Sequence, residues 1–129
     1  MFRSVLFAVL ILFTFNNANA LSNESLYKLC KPYADRAFDL KTEEDLLCIY
    51  YTSGVLDSSE NLCFVMSGAA KEDTSIAFAR GFFGTSNAHE KKDSIIQAYV
   101  NKMKNSPEKW EFVASDALRE VSRQIAPCE

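Results

Sequence analysis

The sequence predicts an all-α protein, a compact disulfide-braced helical bundle of about four to five helices. Three observations lead to this fold class. Apolar residues recur at the three- and four-residue spacing of amphipathic helices. No stretch shows the period of two that is typical of a strand. The chain also carries four cysteines behind a start typical of an exported protein.

The first twenty residues have the layout of a secretory signal peptide. Arg3 stands in a short basic start, an apolar run covers residues 5–13, and alanines occupy positions 18 and 20. The apolar run is shorter than the roughly 20 residues that a membrane-spanning helix needs. We therefore expect residues 1–20 to be a signal peptide and residues 21–129 to form one domain located in the periplasm. The alternative is an uncleaved membrane anchor.

Two helices are predicted before residue 61. Residues 23–31 place Leu26, Leu29 and Cys30 at helical spacing, with Ser22 or Asn23 available as the N-cap. The proline at position 32 should end or kink this helix. The second helix should begin after a threonine cap at position 42, with acids in its first turn, and end in the polar residues 57–60.

The expected apolar face of the second helix contains a glycine. We expect Gly54 to let another helix approach closely; the alternative is a tolerated helix glycine that costs about 1 kcal/mol. The whole face is predicted to consist of Leu46, Leu47, Tyr50, Tyr51, Gly54 and Val55.

The second half of the sequence predicts further helices around a polar loop. Residues 69–83 are compatible with a helix, residues 84–93 form the loop, and Asp93 can cap the helix that follows. Ser106 and Pro107 stop that helix and begin a short turn through Trp110. The last helix should run over residues 115–125 until Pro127 stops it. The two buried stripes are predicted to be Ile95, Ile96, Tyr99, Val100 and Met103, and then Ala117, Leu118, Val121 and Ile125.

The four cysteines are expected to form two disulfide bonds, because the sequence predicts export. Four cysteines allow three pairings, and the sequence alone does not choose among them. A bond between Cys30 and Cys48 would join neighbouring segments, and a bond between Cys63 and Cys128 would tie the C-terminal end to the middle of the chain.

Catalytic chemistry is not favoured by these residues. A cysteine hydrolase needs a thiolate and an imidazole, but the only histidine is His89 and the thiols are expected to pair. The cysteine spacing is not that of a zinc site. Carboxylates are better explained as helix-start acids or a solvated surface than as a glycosidase pair. We therefore expect no enzyme activity, no metal and no cofactor.

The candidate functional residues point to protein binding. Phe82 and Phe83 lie between two glycines beside the polar loop, and aromatic pairs of this kind anchor interfaces. The alternative is that they close the core beneath the loop. The predicted partner-binding residues are Phe82, Phe83, Ser86, Asn87 and His89.

Composition narrows the class of partner. The chain has 17 Asp and Glu against 14 Lys and Arg, and the signal peptide accounts for one of these bases, Arg3. An acidic surface argues against nucleic acid and membrane as partners and is compatible with a basic protein. Separately, Asn23-Glu24-Ser25 matches the N-glycosylation sequon, which would matter only in a eukaryotic host.

Four sequence elements, taken in order, resemble one known family. They are SLYKLC at 25–30, LCIYYTSGVLD at 47–57, an isolated Cys63, and the ending SPEKWEFVASDALREVSRQIAPC at 106–128. In these elements the chain resembles the resistance-associated family of immunity proteins, which guard bacteria against type VI secreted peptidoglycan amidases. It departs from the usual form of that family by an additional segment between Cys63 and Ile95.

The resemblance implies an exported, all-helical and disulfide-braced protein, often a homodimer, that binds an amidase effector and blocks its active site. It also implies that Cys30 pairs with Cys48 and Cys63 with Cys128. We expect the contact to lie within residues 81–92. The alternative from another class is a small secreted carrier of a hydrophobic ligand or a periplasmic stress chaperone, which would need an apolar cavity or an exposed apolar surface.

Overall fold

The computed structural model describes residues 20–69 and 85–128, and in these residues the fold is all-α, as predicted. The predicted signal peptide, up to residue 19, and the predicted helix, from residue 70 onward, lie outside the described residues. The described α-helices are α1 (Asn23–Asp35), α2 (Glu43–Ala69), α3 (Lys92–Lys104) and α4 (Ala114–Ile125), with 3₁₀ helices at His89–Lys91 and Pro107–Lys109.

The four α-helices enclose one apolar core. α1 packs on α2 and α3, and α4 packs on α2 and α3. The predicted stripe of α3 is buried in full, whereas in α4 Ile125 is only half-buried and Ser122 lies in the core. The hydroxyl of Ser122 donates a hydrogen bond to the carbonyl of Leu118 (2.6 Å), so burial leaves it satisfied. The largest fully buried apolar side chains are Tyr99, Leu26, Leu56, Ile95, Ile96, Met103 and Leu118.

α1 begins at the predicted cap and ends later than predicted. The Ser22 hydroxyl accepts a hydrogen bond from the Ser25 N–H (3.2 Å), which confirms Ser22 as the N-cap. Of the two effects predicted for Pro32, an end or a kink, the end is wrong, since Pro32 lies inside the helix. Beyond it, Tyr33 and Ala34 are buried. Burial of the turn that contains them outweighs the single backbone hydrogen bond that proline removes.

α2 is much longer than predicted. Its start is confirmed: the Asp45 N–H donates to the Thr42 hydroxyl (3.2 Å), and the Thr42 N–H donates to the Asp45 carboxylate (2.9 Å). The expected end at residues 57–60 is wrong, because the helix runs to Ala69. Ser59 is fully buried there, and its hydroxyl donates to the Val55 carbonyl (3.0 Å), which keeps a polar residue inside the helix.

The predicted apolar face of α2 is only partly the face that enters the core. Leu47 and Tyr50 are 50% and 67% exposed. Gly54 is also exposed, and in the described chain a Cβ atom built on it would meet nothing within 4 Å. Among the described residues, therefore, no other helix makes the close approach that is expected at Gly54. The face that packs inward consists of Asp45, Cys48, Thr52, Val55, Leu56, Ser59 and Cys63.

The connections around α3 match the prediction with one exception. The expected cap at Asp93 is wrong: α3 begins at Lys92, Lys91 holds the N-cap position, and Asp93 lies in the first turn. Here the preceding 3₁₀ helix leads directly into α3. The predicted turn after α3 is confirmed as the 3₁₀ helix Pro107–Lys109, and the Trp110 indole N–H beside it donates to the Met103 carbonyl (2.9 Å).

Two disulfide bonds brace the bundle. Cys30–Cys48 joins α1 to α2 with a Cα–Cα distance of 5.1 Å, and Cys63–Cys128 joins α2 to the C-terminal segment with a distance of 5.7 Å. This is the pairing that the resemblance implied. Disulfides of this kind are typical of an oxidising environment outside the cytoplasm. Among the described helices, none combines the length and apolar character needed to span a bilayer.

Candidate partner-binding surfaces

The described part of the polar loop, residues 85–91, is fixed to the body of the protein. Thr85 is fully buried, and its N–H donates to the Ser59 carbonyl of α2 (3.3 Å). The Ser86 N–H donates to the Ala126 carbonyl (3.2 Å), and its hydroxyl donates to the Pro127 carbonyl (2.7 Å). The loop therefore rests on α2 on one side and on the C-terminal segment on the other.

His89 anchors the far end of the loop to α2. Its N–H donates to the Glu60 carboxylate (3.1 Å), and its Nε2 atom lies 2.7 Å from an Asp57 carboxylate oxygen. Beyond it, the Lys91 ammonium donates to the Ile125 carbonyl (3.0 Å) at the end of α4. These contacts fix the backbone of the loop, so its shape does not depend on a partner.

Asn87 is a predicted site residue of the loop that, like His89, faces solvent. It is exposed and has a left-handed backbone with φ of 53°, a conformation that asparagine adopts more readily than most residues. The next residue, Ala88, is fully buried. The structure thus brings Ser86, Asn87 and His89 into one short turn. Phe82 and Phe83 lie outside the described residues.

The cysteines of this chain have a structural role. All four cysteines of the chain lie in disulfides, so no thiol is free to act as a nucleophile or a metal ligand. Within residues 20–69 and 85–128, no group of three or more His, Cys, Asp or Glu is placed to hold a metal ion. The site residues can therefore offer shape, hydrogen bonds and charge to a partner.

A second candidate surface, which the sequence did not predict, is the exposed side of α2. We define the outer stripe of α2 as Leu47, Tyr50, Gly54, Asp57, Asn61 and Phe64, all of which are exposed. At 3.6 residues per turn these positions lie on one side of the helix, opposite its buried face. Phe64 is 82% exposed. The sequence does contain an indication that one side of α2 is a distinct surface, since α2 contains five acids and no lysine or arginine.

The N-terminal turn of α2 carries the most perturbed acid in the described chain. Burial alone would raise the pKa of Asp45, but hydrogen bonds from the N–H groups of Lys41 and Thr42 and from the Arg36 guanidinium outweigh burial and lower the pKa to about 2. The Arg36 guanidinium lies 2.6 Å from one of the carboxylate oxygens. With all its partners supplied internally, Asp45 is a structural acid and is not available for catalysis.

A surface groove of about 470 Å³ lies between α3, α4 and the segment before α4. The Lys102 ammonium lies 2.5 Å from the Glu120 carboxylate across it, and this hydrogen bond lowers the pKa of Glu120. The groove is lined by Asn23, Lys102, Lys109, Glu111, Phe112, Val113, Asp116, Ala117 and Glu120. Because five of these side chains are charged, the groove does not favour a wholly apolar ligand.

Asn23 at the edge of this groove belongs to the structural framework. It is 2% exposed, and its amide donates to the Lys109 carbonyl (2.9 Å). The Tyr99 hydroxyl lies within donating distance of both the Asn23 carbonyl (3.0 Å) and its side-chain oxygen (3.1 Å), and burial raises the pKa of Tyr99. The sequon at Asn23 is therefore closed to glycosylation in the folded protein.

Comparisons of the chain with protein-family models, with curated proteins and with solved structures find no match.

Proposed function

We propose that this protein is a periplasmic immunity protein that binds a type VI secreted peptidoglycan amidase and occludes its active site. The observation that carries the proposal is the fixed loop at residues 85–91, which presents Asn87 outward from a backbone held by α2 and the C-terminal segment. A loop that is ordered before binding loses little conformational freedom when it enters a cleft. Steric occlusion requires such a rigid element and no catalytic group.

Two further features support an inhibitor that works outside the cytoplasm. Both disulfides close within the chain and are compatible with the periplasm. The acidic composition favours rapid association with a basic toxin. The family resemblance adds the proposal that the protein is a homodimer, which light scattering during size-exclusion chromatography would test at micromolar concentration.

The direct experiment mixes purified residues 21–129 with a cognate type VI secreted peptidoglycan amidase. We expect a complex with a dissociation constant in the nanomolar range and loss of peptidoglycan hydrolysis at an equimolar ratio. Isothermal titration calorimetry measures the first quantity and turbidity of a cell-wall suspension the second. Failure of both, with an amidase shown to be active, would overturn the proposal.

A matched pair of variants locates the contact. Asn87→Asp keeps a residue that tolerates the left-handed backbone and adds one negative charge. Asn101→Asp makes the same change on the exposed side of α3. If the loop enters the cleft at Asn87, Asn87→Asp should raise the dissociation constant by about tenfold or more, and Asn101→Asp should leave it nearly unchanged. Equal effects would place the contact elsewhere.

A further inference from the structure

The outer stripe of α2 has the spacing of a helix-packing seam. Its six positions are separated alternately by three and four residues, the repeat with which two helices pack side by side. From residue 47 to residue 64 the stripe extends about 26 Å at 1.5 Å per residue. Its apolar side chains lie towards its two ends and are exposed: Leu47 is 50%, Tyr50 67% and Phe64 82% exposed. This is long enough for a partner helix of about five turns.

Gly54 lies near the middle of the stripe and has no role in the fold that the described residues reveal. Its φ angle is not positive, and a Cβ atom there would meet nothing within 4 Å among them. Neither the backbone conformation nor packing among the described residues therefore requires a glycine at this position. At a helix–helix contact, however, a glycine lets the two backbones approach closely.

The negative charge around the stripe favours a positively charged partner. α2 contains no base, and of its five acids only Asp45 is buried, which leaves four outside the core. Glu43 and Glu44 precede the stripe and are exposed, and Asp57 lies within it, 65% exposed and facing the His89 ring. A second copy of this chain would bring acids against acids, which is unfavourable. A helix with lysine or arginine along the edges of its apolar side would complement both the acids and the aromatic residues.

We propose that the outer stripe of α2 is a docking surface for a basic amphipathic helix of a partner protein, with Gly54 at the point of closest approach. The inference rests on α2 alone and goes beyond the amidase contact at residues 85–91. The amidase could fail to bind Asn87 and this surface would still accept a basic helix, and the reverse is also true.

Two synthetic peptides of about 18 residues serve as probes. Both carry leucines at alternating three- and four-residue spacing; one has lysine and the other glutamate at the flanking positions. We expect the mature protein to bind the lysine peptide at least about tenfold more tightly, with affinity that falls at higher salt. Amide chemical-shift changes in labelled protein should centre on residues 47–64.

The decisive variant is Gly54→Leu. It fills the proposed point of closest approach, and it should not disturb the fold, because in the described chain the site is open. The melting temperature should therefore equal or exceed that of the parent. Affinity for the lysine peptide should nevertheless fall about tenfold or more. The matched control is Asn101→Leu, which adds the same side chain to the exposed side of α3 and should leave peptide affinity within about twofold.

Three outcomes would overturn the inference. The first is equal affinity for the two peptides, and the second is shift changes that lie away from α2. The third is evidence that the stripe is already covered in the protein alone. Such evidence would be a dimer that Gly54→Leu dissociates in the absence of peptide, or a chemical cross-link between the stripe and another part of the same chain. The inhibition assay with Asn87→Asp is separate, so its result leaves this test unchanged.

Discussion

Ala37 shows at the residue scale how this chain ends a helix without glycine. It follows α1 with a left-handed backbone, φ 54°. The Phe38 N–H donates to the Tyr33 carbonyl (3.0 Å), and the Ala37 N–H donates to the Ala34 carbonyl (3.1 Å). This is the Schellman pattern, in which glycine usually takes the position of Ala37. The Phe38 ring packs edge-on against Tyr33, with centroids 5.3 Å apart, and this contact holds the alanine in its unfavourable conformation.

Replacing Ala37 with glycine should stabilise the protein. Ala37→Gly removes the clash between Cβ and the backbone at positive φ, so we expect the free energy of unfolding to rise by about 0.5–1 kcal/mol. The same replacement inside a helix, Ala98→Gly in α3, should lower it by about 1 kcal/mol. Urea denaturation of both variants at one pH measures the difference, and a destabilised Ala37→Gly would contradict this explanation of the turn.

The same residues show where sequence reasoning reaches its limit. Pro32 is a strong stop signal, yet the helix passes through it because Tyr33 and Ala34 are needed in the core. Ala37 gives no stop signal, although the helix ends beside it. At Pro32, core contacts with residues far along the chain override the tendency of proline to end a helix. At Ala37, the aromatic pair across the turn overrides the preference for glycine. Ser22 was predictable because its capping bond reaches only to Ser25.

At the scale of an element, the first turn of α2 links charge to helix stability. Asp45 is fully buried and accepts hydrogen bonds from the Lys41 and Thr42 N–H groups (2.9 Å each) and from Arg36. Its pKa falls from 3.8 to about 2. Because the folded pKa lies below the unfolded one, the stabilisation from this carboxylate is present in full above about pH 5 and is lost as the pH falls towards 2.

We therefore expect a specific acid sensitivity. The urea midpoint of the parent protein should fall between pH 5 and pH 2, and part of that fall should disappear in Asp45→Asn. At pH 7 the variant should melt about 5 °C lower, since it loses the charge that accepts the Thr42 N–H hydrogen bond in the first turn of α2 and pairs with Arg36. Asp35→Asn, at an exposed carboxylate paired with Lys31, is the control and should change the midpoint little. Parallel pH profiles for parent and Asp45→Asn would contradict the assignment.

The buried face of a helix is predictable from the sequence where only one face of that helix is apolar. α3 and α4 are such helices, and their predicted stripes are buried apart from Ile125. α2 is not, because it has apolar residues on both its buried and its exposed side, as Leu56 and Tyr50 show. Periodicity alone does not distinguish these two sides. The partners of Ser86 and His89 were not predictable either, since they lie on α2 and in the C-terminal segment, far along the chain.

At the scale of the whole molecule, the Cys63–Cys128 bond holds together the parts that form the candidate loop site. It fixes the C-terminal segment to α2, and that segment accepts the hydrogen bonds of Ser86 through Ala126 and Pro127. The bond closes a sequence separation of 65 residues, against 18 for Cys30–Cys48. Because it closes the longer loop, the Cys63–Cys128 bond restricts the unfolded chain more strongly. Removal of this bond also releases the C-terminal segment, which forms one side of the candidate loop site.

Removing each disulfide in turn should separate stability from loop order. Replacing both Cys63 and Cys128 with alanine should lower the free energy of unfolding by about 4 kcal/mol, and replacing Cys30 and Cys48 by about 3 kcal/mol.

In native-state hydrogen exchange, the two variants should lose protection at different places in the chain. Only the first variant should lose protection at the Ser86 N–H, because only that bond fixes the segment whose Ala126 carbonyl accepts its hydrogen bond, whereas the Thr85 and His89 N–H groups donate to α2. If amidase binding depends on a loop ordered in advance, the same variant should bind more weakly at a temperature where both variants remain folded. Equal protection of the loop in the two variants would mean that the contacts with α2 suffice to hold it.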